Sequence, residues 1–192
     1  MSALTLAEGW VQGIRHVHSD NYSERPAAAE VRLAVIHGIS LPPGEFGGEA
    51  VAQLFTNRLD CDAHPYYARL RDVRVSAHFF IRRDGELLQF VATQHAAWHA
   101  GESVWHGAAQ CNDFSIGIEL EGTDDAAYAA AQYGQLTRLL QLLVREHPQL
   151  AVAGHCHIAP QRKTDPGAAF DWHDLFSRIG AQHDGRHGHP AA

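Results

Sequence analysis

Four consecutive apolar residues, Leu33, Ala34, Val35 and Ile36, sit inside the stretch VRLAVIH at 31–37 and constrain the fold more than any other feature of the chain. So short a run without polar alternation reads as a strand covered on both faces, as in a sheet with layers packed on each side. His37 closes the run, and Gly38 followed by Leu41-Pro42-Pro43-Gly44 breaks it. This puts an imidazole at a strand end, where distant segments of an α/β domain converge. Taken alone, a histidine after a strand is more often a packed residue than a ligand.

The remaining elements follow from periodicity. Residues 73–91 predict a hairpin: VRVSAHFFIRR, an Asp84-Gly85 turn, then ELLQFVA. On its first strand Arg74, Ser76 and His78 share one face, which either lines a cleft or meets solvent, and Val73, Val75 and Ala77 share the other. The stretch IGIELEG at 116–122 alternates, with Gly117, Glu119 and Glu121 opposite Ile116, Ile118 and Leu120. Helical stripes are Val51, Leu54, Phe55 and Leu59 after Gly48; Tyr133, Leu136, Leu139, Leu140, Leu143 and Val144 within 126–147; and Trp172, Leu175, Phe176 and Ile179 within 171–179. Residues 1–30 read as an irregular lead-in anchored by Trp10 and Ile14. The expected architecture is α/β, a mixed central β-sheet flanked by helices. One domain spans 1–180, and the polar tail 181–192 is expected to be disordered.

Charge limits the partners. A net charge of −7 and a pI near 6.1 exclude broad binding to nucleic acid or anionic membrane, so an acidic ligand needs specific arginines. The three cysteines, Cys61, Cys111 and Cys156, form no CxxC pair and no disulfide framework. The N-terminus lacks a basic region followed by an apolar core, and no stretch approaches the ~18 apolar residues of a membrane span. The expectation is a cytoplasmic monomer.

Chemistry concentrates in GHCHIAPQRKTDPG at 154–167. If its start is extended, His155 and His157 point to one face and Cys156 to the other. An imidazole and the Asp165 carboxylate are good Zn²⁺ ligands, and a catalytic zinc takes three protein ligands and leaves a position for water. His37 is the candidate third. The Glu119 and Glu121 face is either the solvated side of a half-buried strand or the source of a general base beside such a site, and spacing does not settle which. Trp98-His99 and Trp105-His106 pair an aromatic with an imidazole, a combination suited to sugar contacts or to capping the core.

Five blocks in order, LAVIHGISLPPGEFGG, RVSAHFFIRRDGE, AWHAG, CNDFSIGIELEGTD and GHCHIAPQRKTDPG, resemble the AmpD-type cytoplasmic N-acetylmuramoyl-L-alanine amidases of bacterial cell-wall recycling, within the peptidoglycan-recognition-protein and type 2 amidase superfamily. The resemblance covers residues 9–176. It implies a zinc cofactor held by His37, His155 and Asp165, with Glu119 activating water and Lys163 stabilising the oxyanion. It further implies a muropeptide substrate, anhydromuramic acid plus stem peptide, cut at the lactyl–L-alanine amide. Trp98 and His99 are then expected to flank the sugar. Gln110 stands where related enzymes commonly carry arginine, which leaves Arg74 for a stem-peptide carboxylate. His157 stands where asparagine is expected, either as an alternative ligand or as a hydrogen-bonding partner behind one. The rival readings are a non-catalytic peptidoglycan-binding module and a phage or secreted amidase acting on intact wall.

Overall fold

A computed structural model describes residues 3–180. The expectation of a disordered tail at 181–192 lies outside those residues. The central sheet has six strands: β1 Arg15–His16, β2 Leu33–Ile39, β3 Phe79–Ile81, β4 Leu87–Gln89, β5 Ser115–Glu121 and β6 Ala151–Gly154, in the order β6-β2-β5-β3-β4-β1. Strands β6, β2, β5 and β3 are mutually parallel; β3 and β4 form the antiparallel hairpin, and β1 lies parallel to β4. The mixed sheet expected from the sequence is the observed one.

Leu33 to Ile36 are completely buried, as their unbroken apolar run requires of a strand covered on both faces. On one face Ala34 and Ile36 join Ile116, Ile118 and Leu120 in a core closed by helices α2 (Ala130–Glu146) and α4 (Trp172–Ile179). Helix α2 supplies Tyr133, Leu136, Leu139, Leu140 and Leu143 at helical spacing. Its start is pinned by Gln132, whose Oε1 accepts from the Ala129 N–H and whose Nε2 donates to the carbonyls of Ile81 and Glu121. Asp171 caps α4 by accepting from the Asp174 N–H at 2.8 Å. On the other face Leu33, Val35 and Ala153 pack with Ala100, Trp105, Cys111 and Phe114. A further cluster gathers α1 (Ala50–Phe55) with Phe80, Leu88 and Phe90.

Three expectations change. The hairpin is shorter than 73–91, because residues 73–77 lie outside the ladder and bond to loops: Ser76 N–H donates to Trp98 O, and Asn21 Nδ2 to Val75 O. Of the expected lead-in 1–30, the described residues 3–30 are more structured, since β1 extends the sheet and Tyr22–Glu24 pairs antiparallel with His95–Ala97. Finally, His155 and Cys156 are not extended. Gly154 is the N-cap of a one-turn helix α3, His155–Ile158, so His155 and His157 leave in different directions.

Candidate metal centre

Register builds the site. In the parallel pair β2–β5, His37 lies directly opposite Glu119, and in the pair β2–β6, Ile36 lies opposite Gly154, the residue before His155. His37 and Glu119 therefore sit side by side near the carboxyl ends of two parallel strands, and His155 enters where the third strand turns into α3. This is the sheet end at which ligands bind in open α/β folds.

Asp165 reaches the same point from the loop after α3. Its carbonyl accepts from the Cys156 N–H at 2.9 Å, and the next carbonyl, that of Pro166, accepts from the Tyr128 hydroxyl at 2.9 Å. The Tyr128 ring fits because Gly38 and Gly122 have no side chain, a Cβ at either overlapping it. The result is a tight cluster: His37 Nδ1 is 3.0 Å from His155 Nδ1, and each is 3.1 Å from Asp165 Oδ2.

The donor set fits a divalent cation. His155 Nε2 faces the Ala100 carbonyl at 3.0 Å, and a carbonyl only accepts, so this nitrogen carries the proton and Nδ1 turns a lone pair towards Asp165. Tetrahedral zinc ligands with bonds of about 2.0–2.1 Å lie about 3.3 Å apart, close to the observed spacing. Burial keeps His37 neutral, lowering its pKa to about 4 against the attraction of Asp165. Burial alone would raise the Asp165 carboxyl, yet the adjacent imidazoles of His155 and His37 prevail and hold it well below the usual carboxylate range. A neutral imidazole at His37 and a carboxylate at Asp165 are protonation states that a metal needs. Among the described residues this is the one group of three or more such side chains whose ligand atoms converge, all within 4.8 Å.

Glu119 stands beside the cluster with Oε2 buried and without a hydrogen-bond partner. Burial, reinforced by the charge of Asp165 and only partly opposed by Lys163, raises its carboxyl well above the ordinary range. A buried, unpartnered carboxyl raised in this way is suited to exchanging protons with a neighbour in the cleft. Lys163 lines the same cleft of about 560 Å³ as His37, His99, Glu119, His155 and Asp165.

Of the other sequence candidates, His99 lines the cleft and Arg74, Trp98 and His157 do not. Arg74 is exposed, its guanidinium donates to the carbonyls of Arg71 and Val73, and it does not line the cleft. Val73, Val75 and Ser76 line it instead, because the segment lies outside the ladder. Trp98 is half-buried outside the cleft lining, its indole N–H donating to Ser23 Oγ at 2.7 Å. His99 lines the cleft, but its ring nitrogens are taken by His37 and Ser115. His157 accepts from the Gly154 N–H at 2.9 Å and packs on Trp172, outside the cluster. Sequence reasoning missed Tyr128 and the apolar arm of the cleft, formed by Leu41, Leu54, Phe55, Tyr66 and Leu70. The helical stripe of Leu54 and Phe55 was visible, though not which face of the cleft it would serve.

Fold and site together fit a hydrolase whose three converging donors could hold a metal ion. Residues 27–168 match the family described as N-acetylmuramoyl-L-alanine amidase (Amidase_2), and the chain belongs to that family of enzymes. A curated relative, the 1,6-anhydro-N-acetylmuramyl-L-alanine amidase AmpD of Citrobacter freundii, is 53% identical over 171 residues, covering 88% of this chain and 91% of its own. A crystal structure of an AmpD derivative superposes with a TM-score of 0.89 at 51% identity, covering 91% of this chain and 99% of that one. The Escherichia coli amidase AmiD, solved in complex with anhydro-N-acetylmuramic acid-L-Ala-D-γ-Glu-L-Lys, aligns at 28% identity and a TM-score of 0.57, covering 92% of this chain and 65% of that one.

Proposed function

We propose that this amidase is zinc-dependent and hydrolyses the amide between the lactyl group of 1,6-anhydro-N-acetylmuramic acid and L-alanine, releasing the intact stem peptide during cell-wall recycling in the cytoplasm. The observation that carries the reading is the buried, unpartnered Glu119 Oε2 beside a converging His37–His155–Asp165 set. The AmpD relatives, with names that specify the anhydro sugar, support the substrate. Among the described residues no helix is long and apolar enough to cross a membrane.

Zinc, which His37, His155 and Asp165 would hold, would supply Lewis acidity that polarises a carbonyl and makes a water more acidic. Glu119 takes the proton of the attacking water on Oε2 and returns it to the leaving nitrogen of L-alanine. Lys163 faces the charge that develops on the carbonyl oxygen. The walls of the cleft orient the substrate so that the scissile carbonyl lies between these groups. An intact donor set with a base favours catalysis over a binding module, which needs neither.

Product analysis on matched muropeptides tests the assignment. Anhydromuramoyl peptides should be cleaved with much higher kcat/KM than the same peptides on reducing-end muramic acid, and purified sacculi should stay largely intact. Equal kcat/KM on both sugars, or efficient release from sacculi, would identify a wall-lytic amidase instead.

A further inference from the structure

The ring of His99 and the carbonyl of Ala100 sit directly behind the two histidine donors. His37 Nε2 lies 2.9 Å from His99 Nδ1, His99 Nε2 lies 3.2 Å from Ser115 Oγ, and Ser115 Oγ lies 2.5 Å from the Cys111 carbonyl. The end of this chain sets its direction. A carbonyl only accepts, so the single hydroxyl proton of Ser115 points at Cys111, and Ser115 Oγ accepts from His99. His99 therefore carries its proton on Nε2 and offers a lone pair at Nδ1. His37 must then donate from Nε2, which leaves its Nδ1 unprotonated and aimed at His155 and Asp165. One fixed carbonyl thus decides, three hydrogen bonds away, which nitrogen of His37 faces the cleft.

The surroundings hold this chain rigid. Ser115 is fully buried and His99 nearly so. A Cβ at Gly117 would overlap the His99 ring, so the ring occupies the room that this glycine vacates. Asn112 Oδ1 accepts from the backbone N–H groups of both His99, at 3.2 Å, and Ala100, at 2.8 Å. The Ala100 carbonyl in turn accepts from His155 Nε2 at 3.0 Å and from Arg162 Nη2 at 2.8 Å. With both outer nitrogens donating, neutral rings turn both inner nitrogens towards Asp165 as acceptors, an arrangement that fits a shared cation.

We propose that His99, directed by Ser115, is the positioning residue that fixes the tautomer and orientation of His37 for the metal, and that it does not contact substrate as a sugar-binding group. This rests on the reading of His37, His155 and Asp165 as a zinc site. Groups hydrogen-bonded behind a ligating histidine typically change metal affinity by about 10–100-fold when removed.

The test uses the full chain and zinc alone. Competition with a chromophoric chelator should show His99→Ala binding zinc about 10–100-fold more weakly than the wild type, and Ser115→Ala showing a smaller loss of about 3–10-fold. Asparagine places an amide oxygen near the position of Nδ1, so His99→Asn should stay within about threefold of the wild type. Long-range proton–nitrogen NMR of the zinc-loaded wild type should find protons on Nε2 of His37, His99 and His155. Unchanged zinc affinity in a folded His99→Ala, an asparagine variant as weak as the alanine one, or a proton on His99 Nδ1 would each overturn the proposal. If His99→Ala fails to fold, Ser115→Ala and the wild-type spectrum decide. Failure of the wild type to take up zinc is a separate result: it removes the zinc reading itself, and this inference with it.

Discussion

Glu119 and Glu121 lie two residues apart on one face of β5, almost equally buried at 8% and 3% exposure, and their surroundings are opposite. Glu121 is paired: Oε1 accepts from the Gly47 N–H at 2.6 Å and Oε2 from the Arg83 N–H at 3.0 Å, tying two loops to the sheet. Glu119 leaves Oε2 unpartnered beside the donor cluster. Burial alone does not separate a reactive carboxylate from a structural one; the count of N–H donors aimed at it does.

The sharpest way to break that contrast is turnover. Glu119→Gln should keep the fold and the bound metal yet lower kcat by about 10²–10⁴, because the amide keeps the size and loses the base. If Glu121→Gln abolished turnover while Glu119→Gln left it near normal, the roles would be reversed. Lys163→Ala should lower kcat by about 10²–10³ through the lost oxyanion partner, with metal content unchanged by elemental analysis. Glu121→Gln turns an amide NH₂ towards an N–H donor and should cost about 1–3 kcal/mol in denaturant unfolding, with kcat changed little.

The smallest effect carries the sign that separates the two glutamates most cleanly. A carboxyl raised in the folded state adds stability below its unfolded pKa, in the ordinary glutamate range, and loses it as pH rises through the folded value. Glu119 therefore weakens the metal-free protein once pH is above that range. Glu119→Gln should raise the Tm of the metal-free protein at pH 7 by about 2–4 °C per kcal/mol relieved, and the gain should vanish below about pH 4. A gain that persisted at low pH would mean that the effect is not electrostatic.

Much of this was legible in the sequence. The unbroken run at 33–36 marked the central strand, and alternation through Glu119 and Glu121 set their common face, because burial imposes those patterns directly on residue type. What was not legible depended on partners distant in the chain. Nothing local in VRVS shows that Asn21 and Trp98 will take its backbone hydrogen bonds. Nothing in GHCH shows that the chain turns helical at His155, which separates His157 from it. His99 reads as a sugar contact because its neighbour is a tryptophan, and its contacts with His37 and Ser115, which meet it through the sheet, are not visible in that neighbourhood. Arg74 looked cleft-facing only while residues 73–78 were read as a strand.

The row shared by His37 and Glu119, with His155 just beyond it, also has a consequence for assembly. His37 and His155 are 118 residues apart, and they meet only once β6 has docked against β2. A cation bound to both therefore acts as a latch on one of the longest chain closures in the molecule, drawing its affinity from completed topology and returning it as resistance to opening. Fraying should start where the latch is removed: on chelation, the amides of Ala151–Gly154 should lose hydrogen-exchange protection before those of Ser115–Glu121, which are braced by a strand on each side.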